Sequence, residues 1–392
     1  MHPKIYLKPG KDKPVLAHHH WVFSGAIMKK DPEVVSGGVV DVYSSDHKYL
    51  GTGYFNELTS IAVRMLTFEP TQIDGNFLWN KIYRSWQMRQ KLFADGSTNC
   101  YRILFSEGDF LPGLIIDRYD NCLVIQIQTL GIDRFREQIL EILEVMMKPA
   151  AIYEKSEGAA RQEEGLESVS KLHFGTLPER GVVVDENGIR YLVDIPGGQK
   201  TGFFLDQRDN RLLIRQISRG RLMLNCFGYT GGFAVNAASG GATRTVSVES
   251  SAAALELTRE NFRLNQLDPD THGFSQQDVF QFLREDDTRY DLIVLDPPAF
   301  AKRQSSLSAA YRGYKDINLN AMKRLKSGGY LLSCSCSYYI DQSSFQKILF
   351  MAAVDAGREV QILGKLPQPP DHPINIFHPE SEYLKAVLCR VY

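Results

Sequence analysis

No apolar run in the 392 residues approaches the roughly 18 needed to span a membrane as a helix, so no membrane role is expected. The first residues, MHPKIYLKPGKDKP, hold lysines without an apolar segment behind them and do not read as a secretory signal. Cysteine is scarce. The six present are irregularly spaced, which argues against a disulfide framework and points to a reducing cytoplasm. An excess of one charge is also missing: Lys plus Arg number 45 and Asp plus Glu 46, so no global positive charge announces nucleic acid. Internal repeats and low-complexity tracts are absent, which sets aside solenoids and disordered linkers. What remains is ordinary globular composition, 43% hydrophobic and 23% charged, in a chain too long for one core. Two or three domains are expected.

Locally the charge is uneven. Residues 1–30 hold six lysines against Asp12, with His2, His18, His19 and His20 beside them. Residues 301–326 hold seven Lys or Arg against Asp316. A basic run is commonly just a solvated face. Two such runs, interleaved with Trp21, Tyr311 and Tyr314, favour a nucleic-acid partner. Lys8, Lys11, Lys13, Arg312 and Lys315 are the expected phosphate contacts.

The first 70 or so residues alternate apolar positions with glycine and Asp/Ser turns, as in a small β-barrel or compact sheet. FLWNKIYRSWQMRQKLF then reads as an amphipathic helix. Residues 101–195 mix strands with one helix and include a hairpin turn at Asp185-Glu186-Asn187-Gly188, which suggests an α+β middle domain. From about residue 196 strands and helices alternate, the rhythm of a parallel sheet covered on both faces. Ligands bind such sheets at the carboxyl ends of the strands.

Several candidate residues fall at those ends. In LNCFGYTGGFAV (224–235) a strand runs into Gly228-Tyr229-Thr230-Gly231-Gly232 and then a helix, so a ligand can approach the backbone. The loop is neither G-x-G-x-x-G nor a Walker loop. Glu249, 18 residues past Gly231, closes the next strand, where an acid can accept from ribose hydroxyls. Asp278 closes a third strand-like segment, suited to an adenine amine. Each carboxylate alone is more often a cap. Their serial spacing fits S-adenosylmethionine, which has a ribose and an adenine but no phosphate. In IVLDPPAF (293–300), the prolines after Asp296 stiffen a turn whose carbonyls are free to accept from a base.

In LLSCSCSYY (331–339), Cys334 and Cys336 share one face of a strand. No second Cys-His cluster lies nearby in sequence, so no metal is expected. C-x-C in a strand is a poor redox motif. Small buried residues would be the plain alternative. For a methyltransferase a thiol has a specific use: added to C6 of cytosine, it makes C5 nucleophilic enough to take a methyl group. Cys336 is the first choice for nucleophile and Cys334 the second.

HHWVFSGAI resembles the HPWVFSG opening of PUA-type RNA-binding domains. GQKTGFFLDQRDNR (198–211), NCFGYTGGFAV, LDPPAF, YRGYKDIN (311–318) and SCSCS, in that order, resemble the bacterial 23S ribosomal RNA large-subunit methyltransferase family, RlmI-like. The resemblance covers nearly the whole chain. It implies a PUA-like β-barrel (1–72), an α+β middle domain (73–195) and a Rossmann-type class I methyltransferase domain with a mostly parallel seven-stranded sheet (196–392). By the same resemblance Phe227, Tyr229, Thr230 and Gly231 border the methionine part of S-adenosylmethionine. Lys200, Phe204, Asp206 and Gln207 line the cofactor pocket, and Asp296 and Pro297 orient the base. The implied partner is 23S ribosomal RNA in the cytoplasm, and self-association into a homodimer stays open. His20 stands where the family has proline, a departure expected to touch only a surface contact. Ala299 stands where other RNA cytosine-C5 enzymes have a cysteine, so removal of H5 would fall to another base. N-methylation of guanine or an exocyclic amine by the DPP motif alone is the alternative activity. A non-catalytic RNA-binding protein is a third.

Overall fold

The computed structural model describes residues 2–301 and 303–392. Lys302, one of the seven cations of the second basic run, lies outside the described residues. The chain divides into two compact units, one of Met1–Val184, Val193–Leu205 and Pro370–Glu382, the other of Asp185–Leu192, Asp206–Pro369 and Tyr383–Tyr392. No helix among the described residues is long and apolar enough to cross a membrane.

In the first unit the turn-punctuated opening gives β1 (Lys4–Leu7), β2 (Trp21–Phe23), β3 (Ile27–Lys30), β4 (Val39–Tyr43), β5 (Tyr49–Phe55) and β6 (Ile61–Thr67). They form one sheet, ordered β2-β6-β5-β4-β1-β3, parallel at β1–β4 and otherwise antiparallel. Alternate residues such as Ile5, Leu7, Val40, Val42, Val63 and Met65 fill its core. The amphipathic pattern forms the helix Gly75–Leu92, opened by Asp74, whose side chain accepts the Phe77 N–H at 3.0 Å. Its apolar stripe joins one core with the five-stranded sheet β11-β10-β9-β8-β7, built from β7 (Cys100–Phe105), β8 (Leu114–Tyr119), β9 (Cys122–Ile127), β10 (Ala151–Ser156) and β11 (Val169–Gly175).

Arg89, wholly buried on that helix, donates to both oxygens of Asp109 at 2.6 and 2.7 Å and to the Asp371 carbonyl at 2.7 Å. Asp371 in turn accepts the Arg102 N–H at 2.9 Å. These bonds explain why Pro370–Glu382, late in the sequence, belongs to the first unit. The chain passes between units along the hairpin β12 (Val182–Glu186) and β13 (Ile189–Val193), whose turn puts Asn187 and Gly188 at positive φ, 50° and 75°.

The second unit holds the seven-stranded sheet. Its strands are β14 (Leu222–Cys226), β15 (Arg244–Glu249), β16 (Gly273–Gln276), β17 (Tyr290–Leu295), β18 (Leu325–Ser335), β19 (Val360–Leu366) and β20 (Lys385–Val391), ordered β16-β15-β14-β17-β18-β20-β19. All neighbours are parallel except β20, which runs antiparallel to β18 and β19. Residues 223–226 of β14, 292–295 of β17 and 331–335 of β18 are buried without alternation, as in parallel strands covered on both faces. Their register sets Cys226 beside Leu295 and Leu295 beside Ser333, so β14 and β17 end at one level and β18 runs on to Ser335.

His20 corrects one expectation. It is 1% exposed, with Nδ1 2.8 Å from the Met65 carbonyl, so the position faces the core and makes no surface contact. Burial lowers its pKa to about 4, partly opposed by the Met65 bond. Between that value and the ordinary 6.5 the unfolded chain binds the extra proton. The contribution to stability is therefore whole above 6.5 and is lost as pH falls through the folded value. Denaturant unfolding measured from pH 7 to pH 4 should show stability falling more steeply in the native protein than in His20→Gln. Equal slopes would mean that the imidazole is not held neutral.

Candidate active site at the carboxyl edge of the parallel sheet

The glycine loop leaves β14 with alternate residues in the left-handed region: Phe227, Tyr229 and Gly231 have φ of 57°, 44° and 78°. Two non-glycine residues held there are a strained feature of the kind that functional loops keep. A Cβ on Gly231 would lie 2.3 Å from the Thr258 methyl group, so only glycine fits. The loop is held from the helix Ala252–Leu264. Thr258 donates to the Tyr229 carbonyl at 3.1 Å, and Asn261 donates to that of the buried Thr230 at 2.8 Å. Sequence reasoning missed both. They lie one helical turn apart on an amphipathic helix, and nothing local marks them as clamps.

Glu249 ends β15 and faces this loop. One carboxylate oxygen accepts the Tyr229 N–H at 3.0 Å, and the other accepts the Ser251 N–H at 3.0 Å and the Ser250 hydroxyl at 3.1 Å. Lone pairs remain for further donors. Asp278 lies just past the end of β16, as the N-cap of the helix Val279–Glu285, with Oδ1 accepting the Gln281 N–H at 3.0 Å. The cap therefore takes one oxygen and leaves the other. Next to it Phe280 faces Phe227 and Phe300, with ring centroids 6.4 and 5.8 Å away, and Phe300 faces Tyr314 at 4.6 Å. This half-buried aromatic group was not anticipated.

Asp296 follows β17 and accepts from Gln207 Nε2 at 2.8 Å, while Gln207 accepts from Asn210 at 2.6 Å. Burial first, and then the neighbouring Asp206 charge, push the Asp296 carboxyl up to about 7, with Arg211 and the Gln207 bond opposing. Arg211 is itself tied to both oxygens of Glu186 at 2.7 and 2.5 Å. Asp206 accepts the Tyr383 hydroxyl at 2.6 Å on one oxygen, and its other oxygen is buried without a partner. Pro297 is buried behind Asp296.

The two thiols differ sharply. Cys334 is wholly buried in β18, and burial, with Asp296 adding, holds its pKa well above the ordinary value, so it stays protonated. Cys336 lies just beyond the strand and is half-buried. The segment around it is pinned. Ser337 Oγ accepts the Ala301 N–H at 3.2 Å and bonds the Tyr314 hydroxyl at 2.9 Å. Lys385 Nζ donates to the Ser337 and Tyr383 carbonyls at 2.8 and 2.6 Å. Beyond Ser337, Tyr338 and Tyr339 are 51% and 42% exposed, with rings perpendicular at 5.2 Å.

The other expected residues are scattered. Lys200 is exposed with φ of 54° and Phe204 half-buried, both in the first unit. There Tyr119 and Asp117 hold Thr201 at 2.9 and 2.7 Å. Lys11, Lys13 and Trp21 line one cleft of about 520 Å³ with Phe23 and Pro14. Trp21 turns only part of its ring outward, because its indole N–H donates to Glu107 at 2.8 Å. Lys8 donates to the Gly25 carbonyl at 2.9 Å. On the helix Leu307–Arg324 Arg312 is exposed and Tyr311 half-buried, but Tyr314 belongs to the core and Lys315 pairs with Asp355 at 2.6 Å. Arg324 and Lys326 pair with Asp287 and Asp291, both at 2.9 Å, so the second basic run is partly neutralised.

The donor set suits a nucleoside-bearing cofactor. Besides the Asp206 oxygen, the buried side chains of Asn225 and Ser247 at the loop base lack hydrogen-bond partners among the described residues. A Cβ on Gly228 would sit 3.0 Å from Asn225 Nδ2. Unsatisfied polar atoms beneath a glycine loop are what a polar ligand or water would satisfy.

The S-adenosylmethionine-dependent methyltransferase family matches residues 167–390, and the PUA-like domain family matches residues 5–68. The ribosomal RNA large subunit methyltransferase I of Serratia proteamaculans is 41% identical over 392 residues, covering 99% of each chain. That of Shewanella amazonensis is 42% identical over 393 residues, with the same coverage. Among solved structures SMU.776, determined with SAH, superposes with a TM-score of 0.86 at 25% identity over 99% of each chain.

Treating the native protein with iodoacetamide and mapping alkylated peptides should find Cys336 modified at least about tenfold faster than Cys334. Equal or reversed rates would mean that the strand end is open at Cys334.

Proposed function

The chain belongs to the ribosomal RNA large subunit methyltransferase I family and is an S-adenosylmethionine-dependent methyltransferase, and from that premise we propose that it methylates C5 of a cytosine in 23S ribosomal RNA through a covalent adduct at Cys336. The observation that carries this reading is the half-buried thiol of Cys336, joined through Ser337 to the backbone of the Asp296-Pro297-Pro298 loop.

Bound at the glycine loop, S-adenosylmethionine supplies a methyl group made electrophilic by its sulfonium. Phe227, Tyr229, Thr230 and Gly231 border its methionine part, with Lys200, Phe204, Asp206 and Gln207 as further lining. The unpartnered Asp206 oxygen suits an ammonium. Glu249 accepts from the ribose hydroxyls, and the free oxygen of Asp278 accepts from the adenine amine, with Phe280 at its flank. The Cys336 thiolate adds to C6 of cytosine, and the electron pair released from C5=C6 makes C5 the nucleophile. Asp296, which keeps its proton up to about pH 7, can share it with N3 as the thiolate adds, and Pro297 stiffens the turn that aims it. Once C5 carries the methyl group, a base takes H5 as a proton, the C5–H electron pair restores C5=C6, and the C6–S bond breaks to free the thiolate. To reach a half-buried thiol the base must leave its stack. The exposed Tyr338–Tyr339 pair offers a surface on which it can stack as it enters.

RNA is held in part by the cleft of Lys11, Lys13, Trp21 and Phe23, basic and aromatic as single-stranded sites are, with Lys8, Arg312 and Lys315 as further contacts. Residues 1–72, 73–195 and 196–392 act as RNA-binding, middle and catalytic domains. The cytoplasm, where ribosomal RNA is met, is the site of action. No metal is required. Among the described residues the group with potential ligand atoms closest together is His19, His378 and Glu380, within 4.8 Å. His19 accepts the Trp21 N–H on Nδ1 at 3.1 Å, which leaves its proton on Nε2, 3.2 Å from Glu380. That nitrogen is a donor to a carboxylate and has no lone pair to give.

Transfer of a labelled methyl group to undermethylated bacterial 23S ribosomal RNA, followed by nucleoside mass spectrometry, should put label in 5-methylcytidine. Cys336→Ala should reduce it by about a thousandfold or more while S-adenosylmethionine still binds, and Cys334→Ala should retain most of it. Label in a methylated guanosine or adenosine would overturn the thiol mechanism in favour of N-methylation.

A further inference from the structure

The helix Gly75–Leu92 carries Asn76, Asn80 and Arg84 in one row at four-residue spacing, with Phe77 and Lys81 in the next. These five residues and Gln72 line a cavity of about 390 Å³ in the first unit. It is distinct from the cleft of Lys11, Lys13 and Trp21.

Two cations meet there. Lys81 Nζ lies 5.3 Å from the ring centre of Phe77 and 5.7 Å from that of Phe110, and the Arg84 guanidinium lies 5.0 Å from Phe110. Aromatic faces orient a cation without cancelling its charge. Neither side chain pairs with a carboxylate among the described residues. The acid in the lining, Asp74, spends one oxygen on the Phe77 N–H at the start of the helix. A merely solvated pair would keep an ordinary ammonium. Here burial, and then the Arg84 charge, lower the Lys81 pKa to about 8, so the two cations crowd each other in a partly dry setting. Side-chain amides of Gln72, Asn76 and Asn80 add neutral donors around them. A pocket with two convergent cations, several N–H donors and one committed acid matches a tetrahedral oxyanion.

We propose that the cavity of Lys81 and Arg84 binds one backbone phosphate of the RNA substrate, giving the middle domain its own hold on the RNA. The inference rests on the reading of the protein as an RNA methyltransferase. The phosphate fixes where the strand runs without reading its sequence.

Binding of an undermethylated 23S ribosomal RNA fragment is measured across a salt series for the native protein, for Arg84→Gln and for Lys81→Gln/Arg84→Gln. Binding of inorganic phosphate is measured alongside. Arg84 is exposed, so its single variant keeps the test valid if the double variant does not fold. Retained S-adenosylmethionine binding reports folding. The expected result is a several-fold weaker complex and a slope of log K against log salt reduced by about 0.7 to 0.9 in magnitude. An unchanged slope in a native protein that binds RNA overturns the site and leaves the wider reading standing. Phosphate binding that the variants lose, with an unchanged RNA slope, assigns the cavity to a free phosphate ion and overturns the RNA contact. A native protein that does not bind the RNA removes both.

Discussion

The hydroxyl of Ser337 receives the backbone N–H of Ala301 and bonds the phenol of Tyr314, and through those two bonds the segment that carries the thiol is fastened to the loop that carries Asp296. The register of β17 and β18 sets Leu295 beside Ser333, but a register fixes only the strands. Beyond their ends the chain is loop, and loops hold their shape through side-chain bonds of this kind. Tyr314 is wholly buried and faces both Phe300 and Phe345, so the anchor itself is set in the core of the unit. Lys385 holds the Ser337 carbonyl from β20. Helix, loop and two strands thus converge on one serine. The proposed chemistry requires that convergence, because a thiol and a proton donor contribute only when both reach the same base.

Two cysteines two residues apart illustrate how burial divides identical chemistry. Cys334 sits inside the sheet, where a thiolate would be unsolvated and would face Asp296. Cys336, two residues further along, lies past the end of the strand. The inner thiol packs in the core and the outer one is half-buried. A parallel division applies to the carboxylates. Glu249 accepts backbone N–H groups, whereas burial and the Asp206 charge push the Asp296 carboxyl up to about 7. The same kind of group is held by backbone donors in one place and raised toward neutrality in the other.

Most of the fold could be read from the chain itself. Alternating apolar positions, the Asn187-Gly188 turn and the strand–helix rhythm after residue 196 are local signals, and each produced the element it implied. What was legible of the candidate site is placement near strand ends, as for Glu249, Asp296 and the two cysteines. The site was not legible where the role depends on a partner far away in sequence. Thr258 and Asn261 look like ordinary helix residues until the glycine loop folds onto them. Tyr314, taken with the basic run around it, is a core residue because its hydroxyl meets Ser337. Trp21 is partly withdrawn by Glu107, 86 residues later. Pro370–Glu382 joins the first unit through Arg89, 282 residues from Asp371. Spacing along the chain carries no trace of such pairings.

The most direct test of the central claim is to look for the bond itself. The native protein is incubated with S-adenosylmethionine and 23S ribosomal RNA that contains 5-fluorocytidine, whose C5–F bond cannot be broken by removal of a proton. The account predicts a stable protein–RNA adduct whose digest yields a nucleotide attached to the peptide of Cys336. An adduct on Cys334, or methyl transfer to ordinary RNA with no trapped adduct on the fluorinated substrate, would contradict it.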